Sequence, residues 1–311
     1  MSDPGEGAIG VDIGGTKIAV AAVASGGVIL ARRVFPTEAG QGFDRAVERI
    51  GDAIAEVLAE ASGLREGCSG IGIGCAGPVD PLRGLINNPY TLSGWDRCDL
   101  VTPLSRRFQM PVRLENDADV AAVGECAFGA GVGADTVVML TFGTGVGGAV
   151  ILHGEIYRGA QGEHPELGHM LVAAEGPDCY CGARGCLESL ASGTAVGQVG
   201  AAHGFKRASA VFLAAERGDA LAQPLAERAL QAVATAAWNL AHSFLPDRIV
   251  LGGGLMEDAF EPFARAIRQR LARATQFTPG NVSIVHATME NDAGLVGAAS
   301  LMFRRPAHKA L

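Results

Sequence analysis

No apolar run in this 311-residue chain approaches the length of a membrane-spanning helix. The first residues, Met1 to Gly7, are polar and acidic and lack the apolar stretch of a signal peptide. Both absences point to a reducing cytoplasm and away from a membrane partner. Positive charge is short as well: 25 Lys and Arg against 33 Asp and Glu leave a net charge of −8. That balance argues against a nucleic-acid partner held through a basic surface. Low-complexity segments are absent. The seven cysteines are an odd number. Cys68, Cys75, Cys98 and Cys126 are scattered, mostly in apolar segments, and read as buried free thiols.

What the chain has in abundance is glycine, 44 residues, gathered in short loops after apolar runs rather than in a linker. Such loops suit close approach of backbone to a ligand. The length allows one large or two moderate domains. Strands are expected at Ile9–Val11, Ile18–Val23 and Val28–Val34, with Ser25-Gly26-Gly27 as a turn. The apolar positions Phe43, Ala46, Val47, Ile50, Ala53, Ile54, Val57 and Leu58 follow a helical period and predict a helix over Phe43–Ala61. Further strands are expected at Gly70–Cys75, Pro111–Leu114, Arg248–Leu251 and Val282–His286. Helices are expected at Asp117–Phe128, Leu221–Leu245 (with a break near Pro224), Pro262–Ala274 and Gly294–Phe303. Strands alternating with helices predict an α/β architecture. DIGGTKIAV near the start is echoed by TFGTGVGGAV near the middle, between the strands Thr136–Leu140 and Ala149–Leu152. One strand–loop–strand unit used twice predicts two halves with facing loops.

Four residues, His169, Cys179, Cys181 and Cys186, have the spacing H-x9-C-x-C-x4-C. One imidazole and three thiols fill a closed tetrahedral Zn²⁺ site, and Gly176, Pro177, Gly182 and Gly185 let the backbone turn around it. Four buried residues without metal, or a disulfide, are the alternatives. Glu166 and Glu188 flank the set, so a metal there would fix two carboxylates for a polar ligand. Asp12-Ile13-Gly14-Gly15-Thr16-Lys17 lies between two strands, and is neither a Walker loop nor a Rossmann turn, both of which lead into a helix. Its backbone N–H groups and the Thr16 hydroxyl suit an anion, and Asp12 suits a hydrated Mg²⁺. The Gly143–Gly148 and Gly252–Gly254 loops likewise follow apolar strands, where ligands collect in α/β folds. Glu115-Asn116-Asp117 stands at a strand-to-helix junction. Asp117 there can accept the proton of an attacking hydroxyl that Asn116 orients, with the helix dipole keeping it ionised. A plain helix cap is the competing account.

Taken in order, the segments 12–17, 115–125, 142–148, 164–169 (HPELGH), 179–188 (CYCGARGCLE) and 251–255 resemble those of the ROK family of sugar kinases. The resemblance runs from Asp12 to about Ala299. It implies a two-lobed actin-like (ribonuclease H-like) fold of duplicated βββαβα-type domains around a cleft. It further implies transfer of the γ-phosphoryl group of ATP, with Mg²⁺, to a hexose hydroxyl, O6 of glucose or a glucose-like sugar. On this pattern Asp117 is the base, and Asn116, Glu166, His169, Glu188 and the Gly77 backbone hold the sugar. Asp12, Gly14, Gly15, Thr16 and Lys17, with Gly143 and Thr144, hold phosphate, and Gly252, Gly253 and Gly254 the adenosine. Zinc takes one ring nitrogen of His169 together with Cys179, Cys181 and Cys186. A small lobe of residues 1–115 plus 292–311, a large lobe of 116–291, and a homodimer are implied too. The chain departs from the pattern on the sugar side. Asp119 replaces a frequent Asn, Pro165 lies in an HPE segment like that of fructokinases, and Tyr90 stands where relatives often carry Asn. An amino sugar or N-acylhexosamine (mannosamine, glucosamine or kanosamine type) or fructose is therefore an alternative substrate. A ROK-type transcriptional regulator is a remote one. Trp238 reads as core, His153, His203, His242, His286 and His308 as bystanders, and Arg106-Arg107 and Arg304-Arg305 as solvated faces.

Overall fold

The computed structural model describes residues 6–64, 67–89, 91–274, 282–289 and 292–303. Tyr90, Arg304, Arg305 and His308 lie outside them. The chain divides into two compact units, the first running through Val132 with Glu155–His164 and the C-terminal segment, the second holding Gly133–Gly154 and Pro165–Glu290.

In the first unit, β1 (Gly7–Ile13), β2 (Lys17–Ala24) and β3 (Ile29–Pro36) form a meander, followed by α1 (Phe43–Glu60) and β4 (Cys68–Cys75). Three two-residue strands, β5 (Val79–Asp80), β6 (Leu85–Ile86) and β7 (Cys98–Asp99), make a small separate sheet. Then come α2 (Val101–Phe108), β8 (Val112–Asn116) and α3 (Asp117–Phe128). The main sheet has the order β3-β2-β1-β4-β8, antiparallel in the meander and parallel from β1 through β4 to β8. The inner strands β1, β2 and β4 are largely apolar and buried on both faces because both are covered, whereas the edge strand β3 carries Arg32 and Arg33 and is partly exposed. Helix α1 buries Ala46, Ile50, Ala53, Ile54, Val57 and Leu58 against the meander.

The second unit repeats the plan. β9 (Thr136–Phe142) and β10 (Val146–Leu152) form a hairpin, β11 (Glu155–Ile156) opens the excursion Glu155–His164, and α4 (Leu187–Ala191), α5 (Gly193–Ala201), α6 (Ala208–Glu216) and α7 (Ala222–Phe244) follow. β12 (Arg248–Gly252), α8 (Met256–Leu271), β13 (Ser283–His286) and α9 (Ala293–Ser300) complete the described chain. The order β10-β9-β12-β13, with one antiparallel pair and two parallel ones, matches β2-β1-β4-β8 strand for strand. The internal echo in the sequence is thus a duplicated fold.

Contacts place two segments differently from the grouping of 116–291 into one lobe. α3 and Glu155–His164 belong with the first unit. For α3 the physical reason is α9, which packs on α3, β1 and β4 through small residues; Glu155–His164 is tied to the first unit by Arg158 on Glu115 and His164 on Asp119. A Cβ added at Gly297 would lie 1.7 Å from the Val120 carbonyl oxygen, and one at Gly72 would lie 1.7 Å from that of Ala298. Only hydrogen at those positions allows the backbones so close.

Smaller differences have equally local causes. α7 is unbroken, because Pro224 sits in its first turn, where a missing N–H loses no helical bond; Asp219 accepts from the Leu221 and Ala222 N–H groups ahead of it. α8 begins at Met256, six residues before the expected Pro262, which is buried inside it. The second glycine loop shrinks to Gly143–Gly145, since Gly147 and Gly148 lie in β10. Cys75 is buried, whereas Cys68, Cys98 and Cys126 are only partly so. Trp238 is half-buried at the edge of the core; the fully buried tryptophan is Trp95, whose Nε1 donates to the Ala39 carbonyl at 3.4 Å. Among the described residues no helix is long and apolar enough to cross a membrane.

Candidate active site

In the first unit, three parallel strands end together. The register sets Asp12 beside Gly74 and Ile13 beside Cys75, and Cys75 in turn beside Asn116. Asp117 follows as the first residue of α3. Chain reversal at this junction depends on Asn116, whose buried side-chain oxygen accepts the Ala118 N–H at 2.8 Å as an N-cap. Its amide nitrogen remains available and lies against Gly77, where a Cβ would come within 2.5 Å of it. The capping account is therefore correct for one end of Asn116 and leaves the other end free to orient a ligand. Asp117 Oδ1 also accepts from the Ala118 N–H, at 2.8 Å.

The electrostatics of Asp117 differ from the dipole-based expectation. Burial pushes its carboxyl from the usual 3.8 up to about 6, Asp12 and Asp119 add to the rise, and the Ala118 N–H and His164 oppose it. Desolvation thus outweighs the helix N-terminus. Solvent still reaches the carboxyl, which offsets part of that penalty; a ligand covering it would restore it. Burial likewise raises Asp12, against the pull of Lys17 and Arg32.

The β1–β2 turn is closed by the Gly14 N–H donating to the Lys17 carbonyl at 3.0 Å. Thr37 braces it from outside, its hydroxyl donating to the Gly14 carbonyl at 2.6 Å and its N–H to that of Thr16 at 3.0 Å. The Gly14 N–H is thus committed to the turn, which leaves Gly15 and Thr16 as the donors best suited to an anion.

In the second unit, the candidate ligand atoms of His169, Cys179, Cys181 and Cys186 all lie within 4.8 Å of one another. His169 Nδ1 is 3.4 Å from Cys179 Sγ, and the sulfurs of Cys181 and Cys186 are 3.6 Å apart. Tetrahedral Zn²⁺ requires about 3.6 Å between N and S ligands and about 3.8 Å between two S ligands, so the donor set fits. The knuckle is built by backbone bonds, Cys179 N–H to Ala183 at 2.8 Å and Gly182 N–H to Cys179 at 3.0 Å, with Gly182 at φ 93°.

Glu188, in the first turn of α4, reaches back to the second glycine loop, where its Oε2 accepts the Val146 N–H at 2.8 Å. A Cβ at Gly145 would lie 2.3 Å from that oxygen, so the glycine is needed for the approach. The same loop is held from α5, whose Gly193 N–H donates to the Gly143 carbonyl at 2.8 Å. Gly252 ends β12, and Gly253 (φ 87°) packs on the backbone of Phe142, to whose carbonyl Leu255 donates at 3.0 Å. Glu166 is exposed, just before the single 3-10 turn that carries His169.

Three features escaped the sequence reading. Tyr180, between two of the cysteines, stacks edge-on against His169 with centroids 4.9 Å apart and hydrogen-bonds Glu188. Burial, then Glu188 and Glu166, push its hydroxyl pKa up although the ring is largely open to solvent. An aromatic inside a cysteine knuckle was the available signal. Arg158 holds the buried Glu115 in a two-pronged pair at 2.7 and 2.5 Å, which no spacing announced. His164 Nδ1 lies 2.9 Å from Oδ2 of the fully buried Asp119; both lie in motifs noted above, without the pairing being visible. The presumed bystanders stay peripheral: exposed His153 pairs with Asp135, while His242 and His286 lie against Trp238 and Phe260.

Comparison with known proteins places these arrangements. A glucokinase of Thermotoga maritima is 34% identical over 317 residues, covering 96% of this chain and 97% of that protein. An N-acetylmannosamine kinase of Vibrio cholerae is 34% identical over 294 residues, covering 94% and 97%. The crystal structure of a ROK family glucokinase from Streptomyces griseus, in complex with glucose and AMPPNP, superposes with a TM-score of 0.72 at 33% identity, covering 94% of this chain and 98% of that one. The two-unit α/β architecture is accordingly that of the actin-like ATPases. The ROK family model matches residues 8–305, and the chain belongs to the ROK family, as one of its sugar kinases.

Proposed function

We propose that the protein transfers the γ-phosphoryl group of ATP to a hexose hydroxyl, O6 of glucose or a glucose-like sugar, with Asp117 as general base. The observation that carries the reading is the shared strand end of the first unit. Asp12 and Asp117 emerge at the ends of β1 and β8, the parallel strands on either side of β4, and sense each other's charge, so the phosphate turn and the base occupy one electrostatic neighbourhood. Phosphoryl transfer asks the protein mainly for positioning and charge, which this arrangement supplies.

A carboxyl raised to about 6 is still ionised at neutral pH, yet basic enough to take a proton from a sugar hydroxyl as it attacks. The Asn116 amide and the Gly77 backbone orient that hydroxyl. Glu166, Glu188 and His169 Nε2 receive the remaining hydroxyls, and the Tyr180 hydroxyl keeps Glu188 in place. Gly15 and Thr16 of the first turn, with Gly143 and Thr144 of the second, face the phosphates; Lys17 adds positive charge, and Gly252, Gly253 and Gly254 border the adenosine. Asp12 would hold Mg²⁺, which neutralises phosphate charge. His169, Cys179, Cys181 and Cys186 would hold a structural Zn²⁺, which fixes the knuckle that carries Tyr180 and Glu188. Because Glu188 also takes the Val146 N–H, filling the sugar site and ordering the second phosphate loop are one event. The homodimer implied by family resemblance belongs to the same proposal and is read by sedimentation.

A second reading, phosphorylation of an N-acylhexosamine, is favoured by the Vibrio cholerae relative, whose identity equals that of the glucokinase. Coupled ADP-release assays across glucose, mannose, fructose, N-acetylmannosamine, N-acetylglucosamine and amino-glucoses separate the two. Asp117→Asn should lower kcat by about 10²–10⁴ with sugar affinity nearly intact. Near-normal turnover in that variant would remove Asp117 from the base role.

A further inference from the structure

We propose that Asn88 and Thr91 are positioning residues, which hold the β1–β2 phosphate turn in register with the strand end that carries Gly77 and faces Asn116. The inference rests on the reading of that turn as the phosphate site and of Gly77, Asn116 and Asp117 as the acceptor side. It adds the tie that keeps the two aligned.

Asn88 is 1% exposed, and a buried amide must spend its hydrogen bonds on the protein. Its Nδ2 donates to the Ala76 carbonyl at 3.0 Å and to Thr91 Oγ1 at 2.6 Å, while its Oδ1 accepts the Thr91 N–H at 2.9 Å. A local turn would need only the Oδ1 bond. The bond to Ala76, twelve residues away, is the one that turn chemistry does not ask for. One amide thus grips Thr91 by backbone and side chain and ties it to Ala76. Each end of the tie touches the site. A Cβ at Gly15 would lie 3.3 Å from the Thr91 Cβ and 3.5 Å from its carbonyl oxygen, so Thr91 packs on the glycine whose N–H suits phosphate. Thr37 bonds the carbonyls of Gly14 and Thr16 and sets the shape of the turn; Thr91 sets where Gly15 stands. At the other end, the Ala76 N–H donates to the Ile13 carbonyl at 2.9 Å, and the next residue is Gly77, against which the Asn116 amide lies. Gly15 is therefore joined to Asn116 by direct contacts within one unit. An attacking hydroxyl and a phosphoryl group must meet in line, and a small misplacement is costly. A tie between the donor-side turn and the acceptor-side strand end supplies that alignment and need touch neither substrate.

Thr91→Val keeps the shape of the side chain and removes the acceptor that Asn88 uses, whereas Thr91→Ser keeps that acceptor. Thr91 is exposed, so both full-length variants should fold. Coupled ADP-release assays give kcat and both KM values per folded molecule, with the folded fraction read by circular dichroism. Thr91→Val should lower kcat by about ten- to a hundredfold, with the KM for ATP and for sugar each within about threefold of wild type. Thr91→Ser should restore kcat to within about threefold. A merely structural role would lower the melting temperature and leave kcat per folded molecule unchanged. Asn88→Ala should reproduce the loss, and the double variant Asn88→Ala with Thr91→Val should lose no more than the larger single effect, because one bond is removed in both. Should Asn88→Ala fold poorly, the two Thr91 variants carry the test alone. An unchanged kcat in Thr91→Val, a loss confined to KM, or an equal loss in Thr91→Ser overturns the proposal. Retained turnover in Asp117→Asn would instead overturn the base assignment; the Thr91 comparison would still decide the tie, since it reads alignment whichever group takes the proton.

Discussion

Asp117→Asn should make the fold more stable at neutral pH while it removes turnover. The native carboxyl titrates near 6 against an ordinary 3.8, so the native state holds the proton more tightly than the unfolded chain does. Between about pH 4 and pH 6 the native state therefore binds more protons, and stability falls as pH rises through that window. Above it the penalty is fully present. Two pKa units would amount to about 3 kcal/mol. Solvent reaches this carboxyl, and screening of an exposed charge reduces the figure to about 1 kcal/mol. Asparagine has the same shape, keeps an oxygen for the Ala118 N–H, and carries no charge to desolvate. The variant should thus melt about 2–4 °C above wild type at pH 7.5, with the difference closing toward pH 4. Thermal melts by circular dichroism at half-unit steps from pH 4 to pH 8 provide the comparison. A variant that melts below wild type at pH 7.5, or a gain of equal size at pH 4, would refute the claim that burial of this charge costs stability.

Two further outcomes bear on the second unit. Cys181→Ser should reduce bound zinc from about one per chain to near zero by elemental analysis. It should also lower the melting temperature, since structural metal binding is part of the folding free energy; unchanged zinc content would show that the cluster is not the site. Glu188→Gln removes a charged acceptor worth about 1.5–3 kcal/mol per hydrogen bond. It should raise the sugar KM by about tenfold or more, and because the same oxygen receives the Val146 N–H, the KM for ATP should rise with it. A sugar KM that rises alone would break the link between the two loops.

The fold was legible wherever local chemistry and tertiary packing ask for the same thing. Asp117–Phe128 appears as a helix with the expected ends because its start is an Asn cap and its end a glycine. The duplicated sheet was legible because its two hairpins must be made of the same small and β-branched residues. Prolines misled in both directions: Pro224 and Pro262 each lie inside a helix, one where no bond is lost and one where core burial outweighs the lost bond. The grouping of α3 with the first unit was illegible for a different reason. It is carried by carbonyl-to-glycine contacts with α9, between segments more than a hundred residues apart, such as Val120 with Gly297, and no window of sequence contains both partners.

The site divides along the same line. Ligand sets fixed by spacing, such as the three cysteines of one knuckle, could be read directly, because a short loop leaves few ways to point its side chains. What spacing could not show is how each polar group divides its hydrogen bonds. Asn116 looked like either a cap or a ligand-orienting amide, and the structure gives its oxygen to the first task and leaves its nitrogen for the second. Gly14 looked like a phosphate donor, and its N–H closes its own turn. Glu188 looked like a sugar acceptor, and one of its oxygens takes a backbone N–H of the second glycine loop. In each case the residue type was informative and the allocation was not, because a donor or acceptor is allocated by whatever the folded chain brings within about 3 Å of it. That allocation sets the chemistry here: Glu188 already accepts from the Val146 N–H and hydrogen-bonds Tyr180, so a sugar hydroxyl meets only the acceptor capacity that those two bonds leave.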